Sequence, residues 1–166
     1  MRTSSLIACS AFALAFAAGL PSAHAAGVVQ VSFANTDKYT DAGSGSRDVE
    51  RCTAALAEHL QSLGARLPDG QVLKVKVTDI DLAGEIHPNR SRGEIRVLRG
   101  RADWPRIDLE FTLEQNGRSL QTGQARLSDM AYLMNQIDID RGGDFAYERR
   151  MLTRWVSDLV AAKTAP

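Results

Sequence analysis

The chain is poor in the residues that most often carry metal and nucleophile chemistry. It has three His and two Cys among 166 residues, and aromatics make up only 6%. No long apolar run follows Leu20, so nothing downstream matches the ~20 residues of a membrane-spanning helix. Neither sign of charge prevails, since 20 Lys and Arg face 20 Asp and Glu. That balance gives no reason to expect DNA or an anionic membrane as a partner. The scarce aromatics do not interleave with the basic residues, which argues against a single-stranded nucleic-acid groove. No phosphate-binding glycine loop is present either.

What is present begins with an export signal. Arg2 supplies a positive start, Leu6 to Leu20 is an uncharged apolar stretch, and Pro21 breaks it. Ala23-His24-Ala25 then offers the small residues a signal peptidase accepts, so residues 1–25 read as a cleavable signal peptide and residues 26–166 as one domain. Leu6-Ile7-Ala8-Cys9 looks like a lipidation box, but cutting there would leave almost no apolar region ahead of it. Cleavage after Ala25 removes Arg2 and no acid, which leaves the mature chain with a single excess negative charge. It also removes Cys9, so Cys52 cannot form an internal disulfide. The compartment implied is the periplasm.

The mature sequence reads as β-α-β-β-β-β-α. Val28 to Phe33 is a β-rich run, and Asn35 to Ser46 is a polar loop. Ser46 is placed to cap a helix whose Val49, Cys52, Leu56, Leu60 and Leu63 recur at helical spacing, with Gly64 as a left-handed stop. Val72 to Leu82 alternates until its apolar parity changes, which predicts a bulge near Thr78-Asp79. Gly93 to Leu98 is a weaker strand. Arg106 to Gln115 alternates cleanly, Asn116-Gly117 signals a hairpin, and Leu120 to Leu127 returns. A last helix runs from about Asp144 to Ala162, with Phe145, Met151, Leu152, Trp155 and Leu159 on one stripe. The fold class expected is α+β: a single domain with a mostly antiparallel four- to five-stranded sheet and two helices on one face.

Several groups invite a functional reading. Cys52 and His59 share a helix face, but seven residues at 1.5 Å rise separate them by ~10 Å, too far for a nucleophile–base pair. Asp79, Asp81, Glu85 and His87 mix ligand types beside a turn and read as a solvated strand end rather than a metal site. Asp138 to Asp144 opens like an EF-hand loop, yet Gly142 and Arg149 stand where oxygen ligands are required. Arg90, Arg92, Arg96, Arg99, Arg101 and Arg106 form a basic run. It would suit an anionic polymer, a lipid headgroup or an acidic partner, and it would equally suit protection of an exposed strand. Glu148 lies in the middle of an apolar helical stripe, which requires either a helix-end role or an ion pair, with Arg106 and Arg99 as candidate partners.

Four stretches carry a resemblance. They are Val31-Ser32-Phe33 with Tyr39-Thr40-Asp41, Ala102 to Ile107, Leu127 to Tyr132, and Glu148 to Leu152 with Arg154-Trp155. Together they make the chain similar to the bacterial domain of unknown function 3016, a family of small exported proteins. The resemblance implies no activity. It singles out Asp103, Arg106, Asp129 and Glu148 as a candidate polar cluster. The sequence names no catalytic, cofactor-binding or metal-binding residue. The leading expectation is a non-enzymatic binding or accessory module of the envelope, its partner an envelope protein or an anionic polymer. The alternatives are a small periplasmic enzyme with converging carboxylates and an envelope adaptor that uses the arginine-rich strand.

Overall fold

The computed structural model describes residues 26–91, 93–100, 102–134 and 144–164. The expected signal peptide, residues 1–25 with Cys9, the arginines Arg92 and Arg101, and the calcium-like stretch from Asp138 to Gly143 lie outside the described residues.

Four strands make the main sheet, in the order β1-β2-β5-β6. Strand β1 (Val28–Phe33) runs parallel to β2 (Gln71–Asp81), and the pairings of β2 with β5 (Arg106–Gln115) and of β5 with β6 (Arg118–Ser128) are antiparallel. A parallel neighbour needs a crossover, which helix α1 (Ser46–Ser62) supplies. The α+β class and the mostly antiparallel sheet thus stand, with β1 as the parallel exception. Helix α2 (Ala146–Thr164) closes the chain. Leu73, Val75 and Val77 of β2 and Ile107, Leu109, Phe111 and Leu113 of β5 face one way. They meet Cys52, Leu56 and Leu60 of α1 and Met151, Leu152, Val156 and Leu159 of α2 in one core. Each such side chain contributes about 1.5–3 kcal/mol through the apolar area it removes from water. Phe111 meets Trp155 edge to face at 5.5 Å between centroids.

Local details follow the side chains. The register of β2 against β5 shifts between Val77 and Asp79, as the parity change foretold. Asn116 and Gly117 both take positive φ, the geometry of a tight hairpin turn. Gly64 departs from its expected role: it is not left-handed, and the chain passes into a 3-10 turn over Leu63–Arg66. Its missing side chain serves a close approach, because a Cβ there would lie 2.7 Å from the Gly27 carbonyl oxygen. Ser46 is the first helical residue, and the cap position before it is Gly45, with no side-chain cap.

The expected strand near 93–98 exists as β4 (Gly93–Val97), but it does not join the main sheet. It pairs antiparallel with β3 (Glu85–Asn89), which the sequence did not announce, to make a separate two-stranded sheet. This hairpin is inserted between β2 and β5, beside the N-terminal ends of both helices.

Candidate functional site

Two polar arrangements arise where the hairpin and the helix N-termini meet the sheet. The first is a knot around Tyr132, whose ring is wholly buried. Its hydroxyl donates to Asp103 Oδ2 at 3.0 Å and accepts from the Gly100 N–H at 3.2 Å. Asp103 Oδ2 also accepts the Arg99 N–H at 2.6 Å. Asp129, one of the few buried acids, accepts from Arg150 Nη2 at 2.9 Å and from the Ala131 N–H at 3.1 Å. Arg150 donates in addition to the Tyr132 carbonyl at 2.9 Å, and its guanidinium lies over the Tyr147 ring. Tyr132 and Tyr147 pack edge to face. The knot ties the end of β6 to the first turn of α2 and to the segment that leads into β5. Its carboxylates are engaged by donors within the chain, and burial raises the Tyr132 phenol above its ordinary range, with Asp103 adding to the effect.

The second arrangement is a cleft walled by the β3–β4 hairpin, the start of α1 and the start of α2. Arg96 reaches inward from β4 and grips Asp41 with two parallel bonds of 2.8 and 2.9 Å, the fork geometry that suits guanidinium and carboxylate. It also donates to the Gly84 carbonyl at 3.0 Å. Burial alone would lower the Arg96 pKa, but the Asp41 carboxylate outweighs it and the net direction is up. Two hollows of about 220 and 310 Å³ adjoin here and share Arg51, Leu82, Arg96 and Phe145 in their walls. Glu148 lies in the wall of the larger hollow, 2% exposed. Its Oε1 accepts the Ala83 N–H at 2.9 Å. Burial pushes its carboxyl above the usual range, while the Ala83 N–H and the more distant Arg96 charge pull the other way. The described residues give Glu148 no ion pair. Phe145, between the two hollows, has φ of 61°, an uncommon conformation for a bulky residue that costs roughly 1–3 kcal/mol.

The expected cluster of Asp103, Arg106, Asp129 and Glu148 therefore does not form as a single group. Asp103 and Asp129 are linked through Tyr132. Arg106 lies elsewhere, bonded to Asp81 at 2.6 Å with its guanidinium over Trp104. Glu148 belongs to the cleft, and neither Arg106 nor Arg99 pairs with it; Arg96 is the cation that acts on it. The arginine run is also divided. Arg90 is exposed at the hairpin turn, Arg96 is committed to Asp41, and Arg99 lies against Glu85 and His87. Asp79 binds Thr40, and Asp81 holds Arg106. Among the described residues no group of three metal-ligating side chains converges. Cys52 is fully buried, and its thiol is pushed up to about 12 by burial and then by Glu148. His59 bonds across to the Arg149 carbonyl and to Thr153 of α2, both at 2.8 Å.

The profile of a protein family described as a protein of unknown function, DUF3016, matches residues 27–158. The chain belongs to this family. No curated protein matches it. A solved structure of a minor lipoprotein from Acinetobacter baumannii aligns over 82% of this chain and 92% of its own at 12% identity. The TM-score is 0.25, a likeness too distant to carry an argument.

In this DUF3016 protein the stretches that carried the sequence resemblance are the ones that build the two polar sites. Asp41 supplies the cleft's carboxylate clamp, residues 102–107 and 127–132 supply the knot, and residues 148–150 contribute to both. Sequence reasoning named Asp41, Tyr132 and Arg150 only within the resembling stretches, gave them no place in a site, and missed the inward turn of Arg96. No local signal marked Arg96, since alternation puts it on the same face of the short strand as Glu94, opposite Ile95 and Val97. A broad concavity of about 680 Å³ lies on the uncovered sheet face. Its lysines Lys74 and Lys76 are paired with Glu114 and Glu110, as on a solvated sheet face.

Proposed function

We propose that this DUF3016 protein is an exported accessory module of the bacterial envelope that binds its ligand without transforming it. One observation carries the reading: the acids that could have served as a catalytic pair are each held by a donor of the same chain. Asp129 is held by Arg150, Asp41 by Arg96, Asp81 by Arg106 and Asp103 by Tyr132. A general acid–base pair needs two carboxylates that face a shared space with protons to exchange. Here the carboxylates act as fixed acceptors that position loops. The leader-like residues 1–25 support export, and among the described residues no helix is long and apolar enough to cross a membrane.

The test is cell fractionation with N-terminal sequencing, followed by crosslinking in the intact envelope and turnover assays on the purified protein. A mature chain that starts at Ala26, with a defined crosslinked component and no turnover, is the expected result. A cytoplasmic protein that retains residues 1–25 would overturn export. Turnover lost in Asp129→Asn would overturn the binding reading.

A further inference from the structure

We propose that the hairpin cleft is a binding site for a small organic cation, an amine carried on an apolar body, with Glu148 as its counter-charge. The inference rests on reading the protein as a binding module and names the ligand class of that module. Three observations meet here.

The first is charge. The Arg96 guanidinium is already neutralised by the bidentate Asp41 clamp, and Arg51 pairs with Asp48 at 3.2 Å. Glu148 therefore contributes a carboxylate to the cleft wall that no ion pair of the described residues neutralises, the Arg96 charge acting on it without a direct contact. Glu94 and Asp144 add two further acids to the walls. Buried charges are normally paired. A carboxylate held under cover by the Ala83 N–H and its own backbone N–H still leaves acceptor capacity for a ligand N–H, because its two oxygens offer about four acceptor positions.

The second is shape and polarity. The larger hollow is walled by Leu82, Ala83, Leu98 and Phe145 together with Tyr147, an apolar and aromatic lining in which Glu148 and Asp144 are the acids and Arg51 and Arg96, each paired with an aspartate, are the cations. Its volume, about 310 Å³, is at the lower end for small-molecule sites. Such a lining favours a ligand with a hydrocarbon or aryl body over a bare inorganic ion, and the aromatic rings favour a cationic head.

The third is strain. Phe145 keeps φ at 61° at the partition between the hollows. Uncommon backbone conformations of bulky residues persist where surrounding contacts impose them, and they cluster at ligand clamps. The knot around Tyr132 anchors Tyr147 and Arg150 next to it, so the first turn of α2 that presents Glu148 is fixed from both sides.

The experiment is a calorimetric or NMR titration of the mature protein with benzylamine and with its neutral isostere, benzyl alcohol. Saturable binding of benzylamine is expected, about tenfold or more tighter than that of benzyl alcohol, the minimum for one favourable charge contact out of bulk water. Glu148→Gln keeps the acceptor for the Ala83 N–H and should abolish the preference. Leu98→Arg, at a partly exposed position in the wall, should weaken benzylamine without disturbing the core. Glu110→Gln, on the opposite sheet face, should change nothing. Equal affinity for the two probes, no saturable binding of benzylamine, or a preference that survives both cleft substitutions would overturn the proposal. Binding of a different ligand elsewhere would end the cation inference and leave the binding reading intact, whereas substrate turnover would end the binding reading whatever the amine result.

Discussion

Replacing Asp129 tests whether the buried acids of this chain hold its structure together. The Asp129 side chain is 4% exposed and that of Arg150 is 25% exposed, so Asp129→Ala would leave a partly buried guanidinium facing a vacated space. Breaking a fully buried pair from one side costs about 3–5 kcal/mol. The partial exposure of Arg150 and its retained bond to the Tyr132 carbonyl reduce this, while the Ala131 N–H loses its acceptor. The net loss should be about 2–3 kcal/mol, or roughly 10 °C in Tm for a domain of this size. Asp129→Asn can keep an acceptor for Ala131 while it discards the charge, and should fall between Ala and wild type. A urea-unfolding cycle with Arg150→Ala should yield a coupling of about 1–2 kcal/mol. A loss within about 0.5 kcal/mol, or no coupling, would refute the structural role and return Asp129 to the candidates for chemistry.

Cys52 should resist thiol reagents at mildly alkaline pH in the native protein and react only as the chain unfolds, because burial holds its pKa near 12; fast labelling without denaturant would contradict its packing between α1 and the sheet. His59 is held neutral, its pKa lowered first by burial. The unfolded chain then takes up the proton first as pH falls below 6.5, so stability present above that value should decline through the window beneath it. Urea midpoints of wild type and His59→Gln on either side of pH 6.5 should diverge, and parallel curves would remove His59 from the helix–helix contact.

How much of this was legible in the sequence differs by element. The β5 alternation, the Asn116-Gly117 turn and the change of parity in β2 are local signals, and each has its expected counterpart in the structure. Strand β3 was not legible, because Glu85–Asn89 carries one aliphatic side chain and a proline and is a strand only by virtue of pairing with β4. The parallel partner of β1 is likewise a property of the crossover rather than of any residue in it. Gly64 misled because helix-stop glycines are so often left-handed, whereas this one is small to let Gly27 pass. Glu148 was marked by its place on the helical wheel. Its neighbour Arg96 was not, since that depends on how the inserted hairpin folds back over the cleft.

The central claim is that Glu148 is kept in the cleft for a ligand's charge and not for the stability of the fold. Its raised pKa means that the folded state binds a proton the unfolded state gives up above about 4.5, so its contribution to stability should fall as pH rises through the window above that value. The most direct measurement is the thermal stability of Glu148→Gln at neutral pH without ligand, compared with wild type. Equal or higher stability, with a flatter dependence on pH above 4.5, is the result expected when a buried charge held at a cost is removed. A loss of several degrees would contradict the claim and make Glu148 a structural tether between α2 and the end of β2.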